Sequence, residues 1–171
     1  MSFSRNLKMA FESRFEWLFF LDTDTLAPKL TVPILQAANR DLIGGMYFQR
    51  FPPYLPAHAT AGVDAKGLIV KQPLPPFTPG DIIPIDFLAT GCTLVHRRCM
   101  EAMLKTYPKP YEWTLDIDKE GGLSEDFDFS LKAARIGFQP WLHTGVVARH
   151  EMLMTVGPRG PEPLAGVLGG A

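Results

Sequence analysis

The sequence lacks the features that would place it in several common protein classes. It has no excess of charge, because 17 basic and 18 acidic residues leave a formal net charge of −1. Without a strong global field, nucleic acid and anionic membranes are not expected partners. No apolar run approaches the roughly 20 residues of a membrane span, and no secretory signal core is present. We therefore expect no transmembrane segment and a cytoplasmic protein.

Cysteine is also scarce. Cys92 and Cys99 are the two cysteines, and neither has a partnering Cys or His at zinc-like spacing. We expect two buried thiols in a reducing compartment, with nothing to support a disulfide. The remaining composition is that of a soluble globular domain, with 46% apolar and 20% charged residues in 171. Such a chain forms one domain with a substantial core.

The central feature of the sequence is the stretch from Trp17 to Pro28. Five apolar residues, WLFFL, run directly into Asp22-Thr23-Asp24-Thr25, which predicts a strand buried on both faces. In open α/β sheets ligands bind beyond the carboxyl ends of strands, and Asp22 and Asp24 would point to the same side. Two oxygen donors there suit Mg or Mn holding a phosphate. Asp and Thr also end strands without further function, and a D-x-D pair alone does not separate the two interpretations.

Hydrophobic spacing predicts alternating helices and strands around this stretch. The predicted helices lie between Ser4 and Trp17, from Thr31 as cap to Asn39, after His96, and from Ser124 as cap to Gly137; the predicted strands are Leu42 to Phe48, Ile85 to Val95, and Pro140 to Ala148, ending at His150. Gly44 and Gly45 predict a bulge or a close backbone approach.

We expect residues 1–151 to form a single α/β domain. Within it, residues 49–84 form a long Pro-rich loop, in which Phe51 to Pro84 carries eight of the 16 prolines. A short hairpin around Gly62 to Val70 could interrupt this loop, which we expect to flank the site. The tail, 152–171, is rich in Pro and Gly and is expected to be flexible.

Further polar residues lie near the predicted ends of elements. Glu125 and Asp126 open a helix, where free N–H groups stabilise an ionised carboxylate and suit a base or an anion partner. Acidic residues also occur at helix starts for stability alone. His150 and His143 lie at strand ends, while His58 and His96 are expected to be structural or exposed.

The order of these motifs resembles that of the metal-dependent, DxD-type GT-A glycosyltransferases. The resemblance lies in FFLDTDTLAP, in DFLATGCTLVHRRCMEAM, and in GGLSEDFDFSLKAARIGF followed by GVVARH, and it covers roughly residues 4 to 151. It implies a GT-A-like, Rossmann-like fold with a mixed, mostly parallel sheet flanked by helices. Three motifs in the expected order are more specific than any one of them.

The resemblance also implies roles for individual residues. Asp22, Asp24 and His150 would hold a divalent cation, Mn or Mg, with Asp24 the direct ligand and His150 preferred over His143. Asp126, with Glu125 as runner-up, would be the base.

Gly91 would let the backbone approach the donor sugar. Trp113, in the loop from Tyr107 to Gly122, would form one wall of the acceptor site. The substrates would be a nucleotide-sugar donor and a hydroxyl acceptor on a glycan, protein or small molecule.

Two other interpretations remain open. The stretch FFLDTDTL is superficially similar to the nucleophile motif of haloacid-dehalogenase-like phosphatases, although Leu26 stands where their threonine is expected. A non-catalytic or truncated transferase remnant that binds sugar or nucleotide is the other alternative.

The resemblance finally implies that an N-terminal strand and helix for the nucleotide base are missing. We accordingly expect an N-terminally truncated fold with an open sheet edge, where a second copy could form a homodimer by strand addition.

Overall fold

The computed structural model describes Glu12 and residues 14–67, 69–112, 124–151, 154–157 and 160–163. In chain order the elements are β1 (Trp17–Leu21), β2 (Thr25–Leu26), α1 (Thr31–Ala37), β3 (Leu42–Met46), β4 (Thr60–Val63), β5 (Ile69–Gln72), β6 (Ile82–Pro84), β7 (Cys92–His96), α2 (Arg97–Thr106), α3 (Glu125–Arg135), β8 (Trp141–Val147), β9 (Arg149–His150), β10 (Met154–Gly157) and β11 (Gly160–Pro163). The helix predicted after Ser4 lies outside the described residues.

Five strands form the central sheet in the order β1-β7-β3-β8-β6. The predicted mixed sheet flanked by helices is confirmed. The prediction that the sheet is mostly parallel is wrong, because β3 with β8 is the one parallel pair among these five strands. That prediction requires each strand to be reached by a helix crossing the sheet. Instead, the chain enters β7 at the edge where β1 ends, pairing Cys92 with Leu21.

Strand direction nevertheless brings three carboxyl ends to one sheet edge. Strands β1 and β3 both run antiparallel to β7, and therefore parallel to each other. Strand β8 runs parallel to β3. The residues that follow β1, β3 and β8 consequently lie at the same edge, which is where ligands bind in open α/β sheets.

Helices cover both faces of the sheet. On one face α2 and α3 pack over Leu42 and Val95, and on the other α1 packs over Ile43 and Leu94 through Leu35. Successive strand residues point to opposite faces, so a run such as Leu42-Ile43 supplies both cores. This explains why the strands are continuous apolar stretches in the sequence rather than alternating ones.

Strand β1 differs from the prediction in its burial. We expected it to be buried on both faces, but Trp17 to Phe20 are half-buried and Leu21 is exposed. The reason is its position as the last strand of the sheet as described, where β7 is its one neighbour. Strand addition at this edge stays a prediction.

Close packing explains the two glycines of β3. A Cβ atom at Gly44 would lie 2.6 Å from Leu88 Cδ1, and one at Gly45 would lie 2.7 Å from Val146 Cγ1. The register of β3 against β8 shifts between Gly45 and Met46. The predicted bulge and close approach are confirmed.

Helix boundaries follow the prediction more closely than helix caps do. Thr31 is the first residue of α1 rather than its cap, and its Oγ1 has no hydrogen-bond partner within the described residues. His96 caps α2, with Nδ1 accepting from Arg98 N at 3.1 Å. Ser124 caps α3 as predicted, but its hydroxyl donates to Asp126 instead of accepting from a backbone N–H.

The strand predicted from Ile85 to Val95 is shorter in the structure and begins at Cys92. Residues 85–91 bond outside the main sheet, with Phe87 N donating to Ala59 O at 3.0 Å and Leu88 N to Ser130 Oγ at 3.0 Å. A loop carbonyl and a helix side chain thus replace a strand neighbour, which the apolar sequence did not indicate.

Strands β4 and β5 form the predicted hairpin outside the main sheet. The pairing of β6 with β8 in the main sheet was not predicted. The described residues of the expected flexible tail pair as β10 and β11. Both cysteines are free and buried, as predicted. No helix within the described ranges is long and apolar enough to cross a membrane.

His58 ties the loop after β3 to the core. Its Nε2 lies 3.0 Å from Gly45 O, so it donates there, and Nδ1 accepts from Ala89 N at 3.3 Å. Acceptance at Nδ1 requires the neutral ring. Burial lowers the pKa of His58 from 6.5 to about 4, and the Gly45 bond opposes that shift. The prediction that His58 is structural is consistent with these contacts.

His58 should make stability depend on pH. Above pH 6.5 its contribution is complete, and below this the unfolded state takes up a proton that the folded state resists until about pH 4. The free energy of unfolding should fall by up to about 1.4 kcal/mol per pH unit in this window. The free energy of unfolding, measured by urea denaturation at several pH values, should depend less steeply on pH in His58→Gln than in the unmodified protein. His143→Gln is the control, and an unchanged slope in His58→Gln would contradict the assignment.

Candidate functional site

The short β2–β9 ladder joins the two ends of the predicted site. Thr25 pairs with His150, and Glu151 N donates to Asp24 O at 2.7 Å. Asp22 N donates to Gly91 O at 3.1 Å, just before β7. The Asp22-Thr23-Asp24 turn and His150, more than a hundred residues apart in sequence, are therefore held beside one another.

Charges crowd around Asp22. Burial is the main cause that raises its pKa, and the neighbouring charges of Asp24 and Asp126 raise it further. His150 and Arg50 act in the opposite direction. Asp22 thus interacts electrostatically with both Asp24, in the same turn, and Asp126, in the first turn of α3. Carboxylates arranged in this way are stabilised by a cation placed between them.

Arg50 supplies one such cation. It lies in the loop after β3 and forms an ion pair with the carboxylate of Asp24, with half of the Arg50 side chain exposed. Arg50 was not predicted from the sequence, because a lone arginine beyond a strand carries no signal without knowledge of its partner. Any other cation that binds Asp24 has to compete with this guanidinium.

His150 has a defined tautomer. Its Nδ1 lies 2.6 Å from Phe48 O, and because a carbonyl can only accept, Nδ1 carries the proton. In the neutral ring the Nε2 atom then keeps its lone pair. This pattern, one ring nitrogen donating to a carbonyl and the other available, is common among metal-binding histidines.

Tyr47, directly after β3, lies at the centre of the site. Its ring packs edge-on against His58 and His150, each with centroids 5.0 Å away, and its hydroxyl accepts from Gly91 N at 3.0 Å. A Cβ atom at Gly91 would lie 2.8 Å from both Asp22 Oδ2 and Tyr47 Oη. The backbone at Gly91 therefore packs closely against these two side chains. Approach to a sugar stays a prediction.

The first turn of α3 presents Asp126 to this cluster. Its Oδ1 accepts from Phe127 N at 3.0 Å and from the Ser124 hydroxyl. Glu125 differs, because its Oε2 is buried with no hydrogen-bond partner among the described residues. Tyr111, bonded to Thr90 at 2.6 Å, lies near both carboxylates. Trp113 falls outside the described residues.

His143 and His96 do not join the site. His143 accepts from Gly145 N at 3.2 Å, and His96 caps α2. The hairpin residue Lys71, which was also not predicted from the sequence, does reach the site, since its pKa responds to the charge of Asp126. Its strand, β5, carries no motif that would have singled it out.

In the described part of the chain, no three His, Cys, Asp or Glu side chains are close enough together to hold a metal ion. Asp24 is turned to Arg50 in this arrangement. The chemistry of the donors nonetheless fits a divalent cation, with two carboxylates on one turn and an imidazole whose Nδ1 is occupied by Phe48 O.

Comparison with known proteins identifies relatives in fold but not in sequence. No family model and no curated protein matches this chain. Among solved structures, A197 from STIV matches with a TM-score of 0.58 and 16% identity, covering 92% of this chain and 70% of A197. GalNAc-T7, a GT-A glycosyltransferase solved with UDP, GalNAc and Mn2+, matches with a TM-score of 0.56 and 15% identity.

The chain shares its fold with a GT-A glycosyltransferase. The match to GalNAc-T7 covers 87% of this chain but 30% of GalNAc-T7. At such low identity the likeness describes the architecture alone.

Removing the charge of Arg50 should strengthen the binding of Mn in the absence of nucleotide, because the guanidinium competes for Asp24. An exposed ion pair contributes up to about 1 kcal/mol, so Arg50→Met should bind Mn roughly two- to fivefold more tightly by isothermal titration. Arg40→Met is the control, since Arg40 lies over Trp141 at the other end of β8. Equal effects of both variants, or weaker binding by Arg50→Met, would contradict this view of the site.

Proposed function

We propose that this protein is a metal-dependent glycosyltransferase that transfers a sugar from a nucleotide-sugar to a hydroxyl acceptor on a glycan, protein or small molecule. The observation that carries the proposal is the meeting of the Asp22-Thr23-Asp24 turn, His150 and Asp126 at one edge of a GT-A-like sheet. GalNAc-T7, whose fold is similar, was solved with UDP, GalNAc and Mn2+, which supports a nucleotide-sugar and a divalent cation as the ligands to test.

Asp22, Asp24 and the Nε2 atom of His150 would hold Mn or Mg. When bound, this ion would stabilise the negative charge that develops on the diphosphate leaving group. Phe48 O fixes the His150 tautomer that such a role requires, and the pairing of Thr25 with His150 fixes its backbone. The pairing of Thr25 with His150 limits how far the aspartate turn and His150 can separate.

Asp126 is our candidate for the base that accepts the proton of the acceptor hydroxyl. Phe127 N and the Ser124 hydroxyl donate hydrogen bonds to its Oδ1. The charge of Asp126 acts on Asp22 and Lys71. Adjacent helical residues point about 100° apart, so Glu125 would face elsewhere and remains the runner-up.

A non-catalytic sugar- or nucleotide-binding remnant is the second candidate. One observation favours it: Asp24 is engaged by Arg50. Turnover separates the two candidates, because a remnant binds the nucleotide-sugar without cleaving it.

The binding role of the aspartate turn predicts a metal-dependent effect of Asp24→Asn. A ligand at 100 times its Kd stabilises a protein by about 2.7 kcal/mol. In thermal-shift assays across a nucleotide-sugar panel, the unmodified protein should be stabilised more with Mn than without, and Asp24→Asn should lose that difference. Asp64→Asn, on the β4–β5 turn, is the control. Undiminished Mn-dependent stabilisation of Asp24→Asn would exclude the proposed metal site.

The base assignment predicts a defect in turnover without loss of donor binding. Asp126→Asn should lower kcat for transfer, or for donor hydrolysis, by roughly 10²- to 10⁴-fold while the donor Kd changes little. Glu125→Gln provides the matched control on the same helix turn. If Glu125→Gln is inactive and Asp126→Asn active, the two roles must be exchanged.

A further inference from the structure

The β4–β5 hairpin is fixed to the core of the protein. Ala61 N donates to Asp86 Oδ2 at 2.7 Å, and Thr60 Oγ1 donates to Pro73 O at 3.0 Å. The residue before β4 pairs with Phe87, which is fully buried. Because Lys71 stands opposite Ala61 in the hairpin register, its backbone position is set by these contacts.

The side chain of Lys71 extends from the hairpin to the first turn of α3. Its Nζ lies 4.0 Å from the centroid of the Phe127 ring, a distance at which the ring face attracts a cation. Phe127 is buried, packs on Phe87 with centroids 5.0 Å apart, and directly follows Asp126. The ammonium group is therefore held next to the proposed base by an aromatic surface.

Lys71 has no carboxylate partner at ion-pair distance among the described residues. Burial lowers its pKa, and the charge of Asp126 acts against that shift. Lys132, another lysine near α3, contrasts with it: its Nζ lies 2.5 Å from Asp128 and donates to Lys109 O at 2.9 Å. Lys71 thus keeps N–H donors for a ligand, while those of Lys132 serve the fold.

We propose that Lys71 is an anion-recognition residue of this site and binds a carboxylate or sulfate group on the acceptor sugar. Describing the ligand as an acceptor rests on the proposed function, but binding of an anion at Lys71 requires no turnover. An anionic group at Lys71 would lie beside Asp126, whose charge would repel it without the ammonium. Pairing with Lys71 offsets that repulsion and leaves a neighbouring hydroxyl facing the carboxylate of Asp126.

The proposal can be tested by NMR titration of the whole chain in Mg buffer. The Lys71 side-chain resonance is assigned by its absence in Lys71→Met. Glucuronate and glucose 6-sulfate should shift this resonance and bind about tenfold or more tightly than glucose, since one charge-assisted hydrogen bond accounts for such a factor. Lys71→Met should lose the preference, and Lys71→Arg should retain most of it.

Lys66→Met is the matched control, because it removes the same charge from the turn of the same hairpin. Equal binding of glucuronate and glucose, or a preference that survives in Lys71→Met, would overturn the proposal and leave Lys71 as a countercharge to Asp126. If Lys71→Met fails to fold, the Lys71→Arg variant assigns the resonance instead, and a resonance that glucuronate does not shift in the unmodified protein equally overturns the proposal. Failure of Mn-dependent donor binding would instead count against the transferase proposal alone.

Discussion

The packing of Tyr47 is the constraint on which the rest of the site depends. One buried side chain contacts the histidine that ties down the loop after β3, the histidine of β9, and the glycine that precedes β7. Asp22 lies against the same glycine. Moving Tyr47 would therefore disturb each of these segments together with the aspartate turn. Rigid support of this kind is what a binding constellation requires.

The electrostatics of the site follow from that packing. Burial raises the pKa of Asp22, and the neighbouring charges of Asp24 and Asp126 raise it further. The protein offsets this with two cations from different segments. Arg50 is already paired, whereas Lys71 rests on an aromatic ring without a carboxylate at ion-pair distance in the described part of the chain. The two proposals require that a metal cation displaces Arg50 and that an anion pairs with Lys71.

The sequence was sufficient for the parts of the structure that have local causes. The WLFFL strand, the helix opened by Ser124 and the glycine-dependent packing of β3 all follow from apolar spacing, capping and side-chain size. Sheet direction could not be predicted in this way. It depends on the path that residues 85–91 take into β7, and an apolar segment of this kind occurs both inside and outside sheets. The same limit explains the wrong prediction for the burial of β1, since an edge strand and a central strand can share one sequence.

The site residues can likewise be separated into those with a local sequence signal and those defined by distant contacts. Asp22, Asp24, Asp126 and His150 stand beside recognisable element ends, so pattern and order pointed to them. Tyr47, Arg50 and Lys71 had no such signal, because their significance lies in contacts with His150, Asp24 and Phe127, each far away in the sequence. Two of these three are cations. Motifs alone therefore identify the carboxylates and not the charges that balance them, and they do not indicate whether Asp24 is available to a metal. In the structure Asp24 is paired with Arg50, a residue of the loop and not of the motif.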